Sequence, residues 1–89
     1  MGSRTNEQHT QLLKELNEER VAALTRISRK LESLIAQLHQ ERDPAKFAEL
    51  RIEARKYRWY LEVQREAMGI RHHRSLDDFY PIPDTPQAV

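Results

Sequence analysis

Six arginines clustered around one segment are the residues of this chain best suited to bind a ligand. Guanidinium groups donate paired hydrogen bonds to phosphates and carboxylates, so closely spaced arginines can follow a phosphate backbone. Residues 51–74 contain seven basic and three acidic side chains, a local excess of four positive charges. This pattern indicates an anion or nucleic-acid contact, and the arginines that would form it are Arg51, Arg55, Arg58, Arg65, Arg71 and Arg74.

Two other interpretations of these arginines remain open. In the preferred one they form a solvated helix face, on which Glu62 pairs with Arg58 and Arg65 one turn away. In the other, residues 75–89 fold back onto them, because that segment contains three aspartates and no basic residue. Binding to single strands usually interleaves aromatic rings with basic side chains. A helical wheel predicts that Trp59 lies away from the arginines, which argues against binding of nucleic acid.

Two neighbouring histidines, His72 and His73, are the best candidates for metal ligands. The nearest carboxylates, Asp77 and Asp78, do not complete a recognised metal-binding spacing. We therefore predict no metal site. The histidines are expected to be exposed near a helix C-terminus, where an imidazolium interacts favourably with the helix dipole.

One pair of carboxylates, Glu62 and Glu66, has the one-turn spacing of an acid/base pair. Such pairs on a charged helix normally face solvent, and catalysis also requires a concave pocket. The sequence has no glycine-rich phosphate loop and no nucleophile elbow. We predict that the protein is not an enzyme, with no catalytic residue, no cofactor and no small-molecule substrate.

Proline and glycine divide the chain into two long helices and a C-terminal tail. Asp43 before Pro44 is typical of a helix start, and Gly69 followed by Ile70 is typical of a helix end. We predict helices over about 6–41 and 44–68 within a hairpin domain of residues 6–70. The short connection makes the helices antiparallel. Residues 1–5 are expected to be disordered or a cloning remnant.

Apolar residues alternate three and four positions apart along both predicted helices, which indicates coiled-coil-like packing. Arg20 is a polar residue within this apolar pattern. Its side chain is expected to extend outward to solvent, to pair with a glutamate, or to make a polar contact that fixes the register of the two helices. The fold class is therefore all-α, a long antiparallel helical hairpin. The apolar positions are Leu24, Ile27, Leu31, Leu34 and Leu38 in the first helix and Phe47, Leu50, Ala54, Tyr57 and Leu61 in the second.

The second helix also has an apolar face opposite this seam, formed by Ile52, Trp59 and Val63, with Tyr60 at its edge. One stripe on the first helix cannot cover both faces. Exposure of these side chains would forgo about 1.5–3 kcal/mol for each large one. The sequence therefore predicts a homodimer, a four-helix bundle with Ile52, Trp59, Tyr60 and Val63 at the interface. Alternatively, this apolar face is covered by a different protein or by the chain's own C-terminal tail.

Residues 71–89 are predicted to form a basic loop, a short turn capped by Ser75 and an extended, proline-containing tail. Phe79, Tyr80 and Ile82 are more apolar than an inert terminus requires. They are candidates for docking onto a further protein partner. The alternative is that Phe79 and Tyr80 pack on the open end of the bundle.

Bulk composition narrows the remaining classes of function. The net charge is +1 and the chain contains no cysteine, which fits a cytoplasmic protein. No apolar run approaches the length of a membrane span. The second helix is also apolar on too many sides for a helix that lies on a membrane surface, so no membrane association is predicted. Together these features favour a non-catalytic interaction, adaptor or assembly protein. The alternative is a nucleic-acid-associated protein that uses the six arginines.

Overall fold

The described part of the chain folds into three helices. The computed structural model describes residues 2–86, with side chains from residue 7 onward. The helices are α1 (Gly2–Gln40), α2 (Pro44–Ala67) and α3 (Arg74–Phe79). The two long helices pack against each other, which confirms the predicted all-α class and the helical hairpin. Neither long helix has, in the part described, a stretch apolar enough to cross a membrane.

Local sequence signals account for both ends of α2. The Asp43 side chain accepts a hydrogen bond from the backbone N–H of Ala45 at 3.2 Å, and Pro44 occupies the first turn. At the other end Gly69 has φ +87°. The N–H of Gly69 donates to Glu66 and that of Ile70 donates to Arg65, which is the Schellman arrangement.

The observed elements differ from the predicted ones at both termini of the chain. Residues 2–5, expected to be disordered, continue α1. Extending an existing helix is easier than starting one, because each added residue gains a hydrogen bond while only its own backbone is fixed. The predicted Ser75 cap is wrong: α3 begins at Arg74 and His73 occupies the capping position without a side-chain bond. Contacts of His72 and His73 with α2 hold the loop so that the chain turns immediately after His73.

The core is the predicted seam with one addition from the C-terminal part of the chain. Leu76 of α3 is 2% exposed, and Tyr80 and Ile82 pack against the same cluster. The C-terminal residues thus form part of the core beside the hairpin. The buried members of the core are Leu31, Leu34, Leu38, Phe47, Ala54, Leu61 and Leu76.

The molecule is a rod in which α1 extends beyond its partner. The radius of gyration is 18.1 Å, against about 12 Å for a compact chain of this length. The guanidinium of Arg20 donates to the carbonyl of Ala67, the last residue of α2, at 3.2 Å. Arg20 therefore meets the end of α2 with a polar contact. We call residues 7–19, which lie beyond this contact, the overhang.

Candidate interaction site on α2

Three arginines spaced seven residues apart, Arg51, Arg58 and Arg65, form a row along α2, which we call the arginine row. Arg51 pairs with Asp84 at 2.9 Å and Arg58 pairs with Asp77 at 2.7 Å. These contacts show that the acidic C-terminal residues fold back onto the arginines.

The third member of the row, Arg65, donates to the carbonyl of His72 at 2.8 Å. Successive contacts at His72, Asp77 and Asp84 mean that residues 72–84 run along α2 in the opposite direction to it. We call residues 72–86 the C-terminal segment.

Burial shows how closely the arginine row is covered. The side chains of Arg51 and Arg58 are 34% and 24% exposed. The Nε atoms of all three arginines are buried and have no hydrogen-bond partner among the described residues. The preferred interpretation, a solvated face with pairs inside the helix, is therefore incomplete. Of the two predicted pairs, Arg58 with Glu62 is present at 3.6 Å, whereas Arg65 contacts the loop.

The other three predicted contact arginines are Arg55, Arg71 and Arg74. All three are exposed, and no ion pair within residues 7–86 involves them. The predicted strip of six arginines thus divides into a covered row and three exposed side chains. Only the exposed three are available to an external anion in this conformation.

A groove of about 360 Å³ lies between α2 and the C-terminal segment. Trp59 lines it beside the arginines, so the expectation that the indole lies away from the basic side chains is wrong. The reason is that Arg55 and Trp59 are four positions apart and therefore neighbours on the helix surface. The other lining residues are Arg51, Arg58, Glu62, Asp77, Tyr80 and Ile82.

The apolar face opposite the seam is exposed along its length. Ile52 is 69% exposed, Trp59 58% and Val63 40%. Tyr60 is half-buried and its ring contacts those of Tyr57 and Trp59, with centroids 5.5 Å apart in each pair. We call Ile52, Trp59 and Val63 the Trp59 face. The C-terminal segment leaves this face exposed, and its role as an oligomer interface stays a prediction.

The three predicted docking residues of the tail have different environments. Tyr80 and Ile82 are half-buried against the chain's own core. Phe79 is 75% exposed on α3. Phe79 is thus the member of this set whose ring is available to another molecule.

The two histidines differ in exposure, and the expectation that both are exposed is wrong for His73, because its contact with α2 leaves its side chain 18% exposed. The His73 Nε2 atom lies 3.0 Å from a carboxylate oxygen of Glu66 and joins the loop to α2. His72 is exposed and contributes its carbonyl to Arg65. No group of three or more histidine, aspartate or glutamate side chains in the described part of the chain converges as metal ligands would.

Sequence reasoning placed Asp77 and Asp84 in a segment that could fold back onto the arginines but assigned neither of them a partner, and it missed Leu76. A signal for the aspartates was present, because Asp77 and Asp84 are seven residues apart, as are Arg58 and Arg51. Leu76 had no such signal, because a single leucine in a polar segment does not indicate burial.

No family model, curated protein or solved structure matches this chain significantly.

Proposed function

We propose that this protein is a non-catalytic assembly or adaptor protein that self-associates through the Trp59 face. The observation that carries the proposal is the exposure of Ile52, Trp59 and Val63 together on one side of α2. The opposite side of α2 packs on α1 and its arginine side contacts the C-terminal segment. The remaining side is therefore the one suited to a second molecule.

The total surface supports association. The chain exposes 7061 Å², whereas a compact monomer of this mass exposes about 5,500 Å². A standard interface removes about 800 Å² from each partner. The excess surface is thus large enough to supply an interface of ordinary size.

The single tryptophan of the chain provides a direct test. As protein concentration rises, we expect Trp59 fluorescence to shift to shorter wavelength and to become less accessible to acrylamide. Light scattering over the same range should show a doubling of mass. A monomeric mass at high concentration, with the indole still quenched freely, would refute self-association.

Two matched substitutions test whether association uses the Trp59 face. Trp59→Asp puts a charge in the centre of the face and should give a monomer that circular dichroism shows is still helical. Phe79→Asp alters an apolar side chain that is 75% exposed, but on α3, and should leave the mass unchanged. An unchanged oligomer in Trp59→Asp would show that association uses a different surface.

A second candidate function is binding of single-stranded nucleic acid. The groove favours it, because Arg55 and Trp59 line one site beside Tyr80, and such proteins combine basic side chains with stacking rings. Arg71 and Arg74 would extend the contact. Counting against this function, the row members Arg51 and Arg58 are already paired with aspartates.

Salt dependence of oligonucleotide binding tests this candidate. Three phosphate contacts predict that log affinity falls with log salt with a slope of about −2. Arg55→Gln should weaken binding, whereas Arg29→Gln, which alters an exposed arginine on α1, should not. Asp84→Asn should strengthen binding, because it releases Arg51. Absence of binding at low salt would eliminate this function.

A further inference from the structure

We infer that the Trp59 face binds the overhang of a second copy of this chain, in an exchange that both copies make. The inference rests on the proposed self-association and specifies what lies opposite the face. It combines two surfaces that the hairpin leaves exposed: the apolar side of α2 and the apolar side of the N-terminal part of α1.

The overhang has its own leucine stripe. Leu12 is 54% exposed, Leu13 49% and Leu16 41%. At 100° per residue these leucines lie on the same side of α1 as the core positions Ile27 and Leu34. The stripe therefore continues the packing surface of α1 beyond the point where α2 ends at Ala67.

Charge distinguishes between the pairings that these surfaces allow. The overhang contains four acidic residues and one basic residue, and residues 51–65 of α2 contain five basic and two acidic residues. On the helical wheel Arg55 and Lys56 flank the Trp59 face on either side. Pairing two Trp59 faces, or two overhangs, brings like charges together. Pairing an overhang with a Trp59 face brings opposite charges together, which favours the correct register and partner.

Length and symmetry also fit this arrangement. The overhang is about 20 Å long, and the stretch from Ile52 to Val63 is about 17 Å long. A two-fold axis perpendicular to the rods, near the contact of Arg20 with Ala67, would place each overhang beside the other copy's α2. The leucine stripe faces the side of α1 on which α2 lies, so it would face the partner's α2. Both contacts would form in one closed dimer.

Cross-linking between two single-cysteine variants tests the arrangement, because the chain has no cysteine of its own. Leu16→Cys places a thiol in the overhang stripe and Val63→Cys places one on the Trp59 face, and both positions lie four residues from the contact of Arg20 with Ala67. The variants are prepared with tags of different size, mixed in equal amounts and treated with a short bis-maleimide. We expect the mixed product between positions 16 and 63 to predominate over either product between identical positions.

The outcomes separate this inference from the proposed function. A mixed product supports the inference. A dimeric mass with cross-links between two copies of position 63, or with no mixed product, overturns the inference and leaves self-association standing. A monomeric mass without cross-links overturns both.

Charge reversal provides an independent test. Glu15→Lys with Glu19→Lys makes the overhang basic, and Arg55→Glu with Lys56→Glu makes the flanks of the Trp59 face acidic. Each double variant alone should dimerise at least about tenfold more weakly, because several like-charged pairs replace opposite ones. Mixing the two variants should restore dimerisation, since both contacts of the mixed dimer again pair opposite charges.

The charge-reversal test has a control variant and an outcome that would contradict the inference. Glu32→Lys, which reverses an exposed charge of α1 outside the overhang, should leave dimerisation unchanged. If the mixed charge variants associate no better than either alone, the overhang is not the partner of the Trp59 face.

Discussion

At the residue scale, the arginines show which part of the site could be predicted. Their clustering identified a basic surface from the sequence, but not which members are occupied. That depends on the return path of the chain, since Arg51 and Asp84 are 33 positions apart. Residues so far apart in sequence come together only when the packing of Leu76, Tyr80 and Ile82 holds the C-terminal segment against α2. The ion pairs therefore follow from the packing of the C-terminal segment.

The pair between Arg58 and Asp77 permits a prediction by double-mutant cycle. Arg58→Met and Asp77→Asn each remove one charge with little change of shape, and the double variant removes both. Because Asp77 is 71% exposed, we expect a coupling energy of only about 0.5–1 kcal/mol in the free energy of unfolding. The coupling should decrease as salt is added. Urea denaturation of the four proteins measures it.

Arg55 supplies the control for this cycle. It is on the same helix and is exposed, so Arg55→Met combined with Asp77→Asn should show no coupling. Equal coupling for Arg55 and Arg58 would mean that Asp77 interacts with the overall positive charge of α2 and not specifically with Arg58.

At the element scale, the two long helices were predictable and α3 was not. Asp43, Pro44 and Gly69 are local signals that define α2 without any tertiary contact. A helix of six residues lacks that independence, because so short a helix is unstable in water and forms only where tertiary packing supports it. The sequence indicated a short turn in this segment, but neither its start at Arg74 nor the burial of Leu76, and the prolines that follow lie beyond the end of α3.

Two residues of α3 should contribute very unequally to the free energy of unfolding. Leu76→Ala removes a side chain that is 2% exposed and should lower the free energy of unfolding by about 2–5 kcal/mol. Phe79→Ala removes a larger side chain from the same helix, but one that is 75% exposed, and should change stability by no more than about 0.5 kcal/mol. Chemical denaturation of both variants makes the comparison. Similar losses in the two, or no loss in Leu76→Ala, would show that α3 does not pack on the hairpin.

At the scale of the whole molecule, the hairpin leaves two apolar surfaces exposed, the Trp59 face and the overhang. The helical wheel identified the Trp59 face from sequence, because its position follows from 3.6 residues per turn. The overhang followed from the unequal helix lengths. Neither pattern alone predicts which of these surfaces would meet in the proposed dimer. It depends on the shape of the rod and on the signs of charge along it.

Because of those signs, the salt dependence of the proposed dimerisation would distinguish between the possible contacts. If the acidic overhang meets the basic side of α2, added salt screens an attraction and should weaken the dimer. If two Trp59 faces meet, added salt screens a repulsion and should strengthen it. Sedimentation equilibrium at about 0.01 M and 1 M salt spans screening lengths from about 30 Å to about 3 Å. We expect the dissociation constant to rise with salt in the natural sequence and to fall with salt in each charge-reversed variant. A fall in the natural sequence would assign the contact to two like faces, because only a repulsion between the copies is relieved by screening.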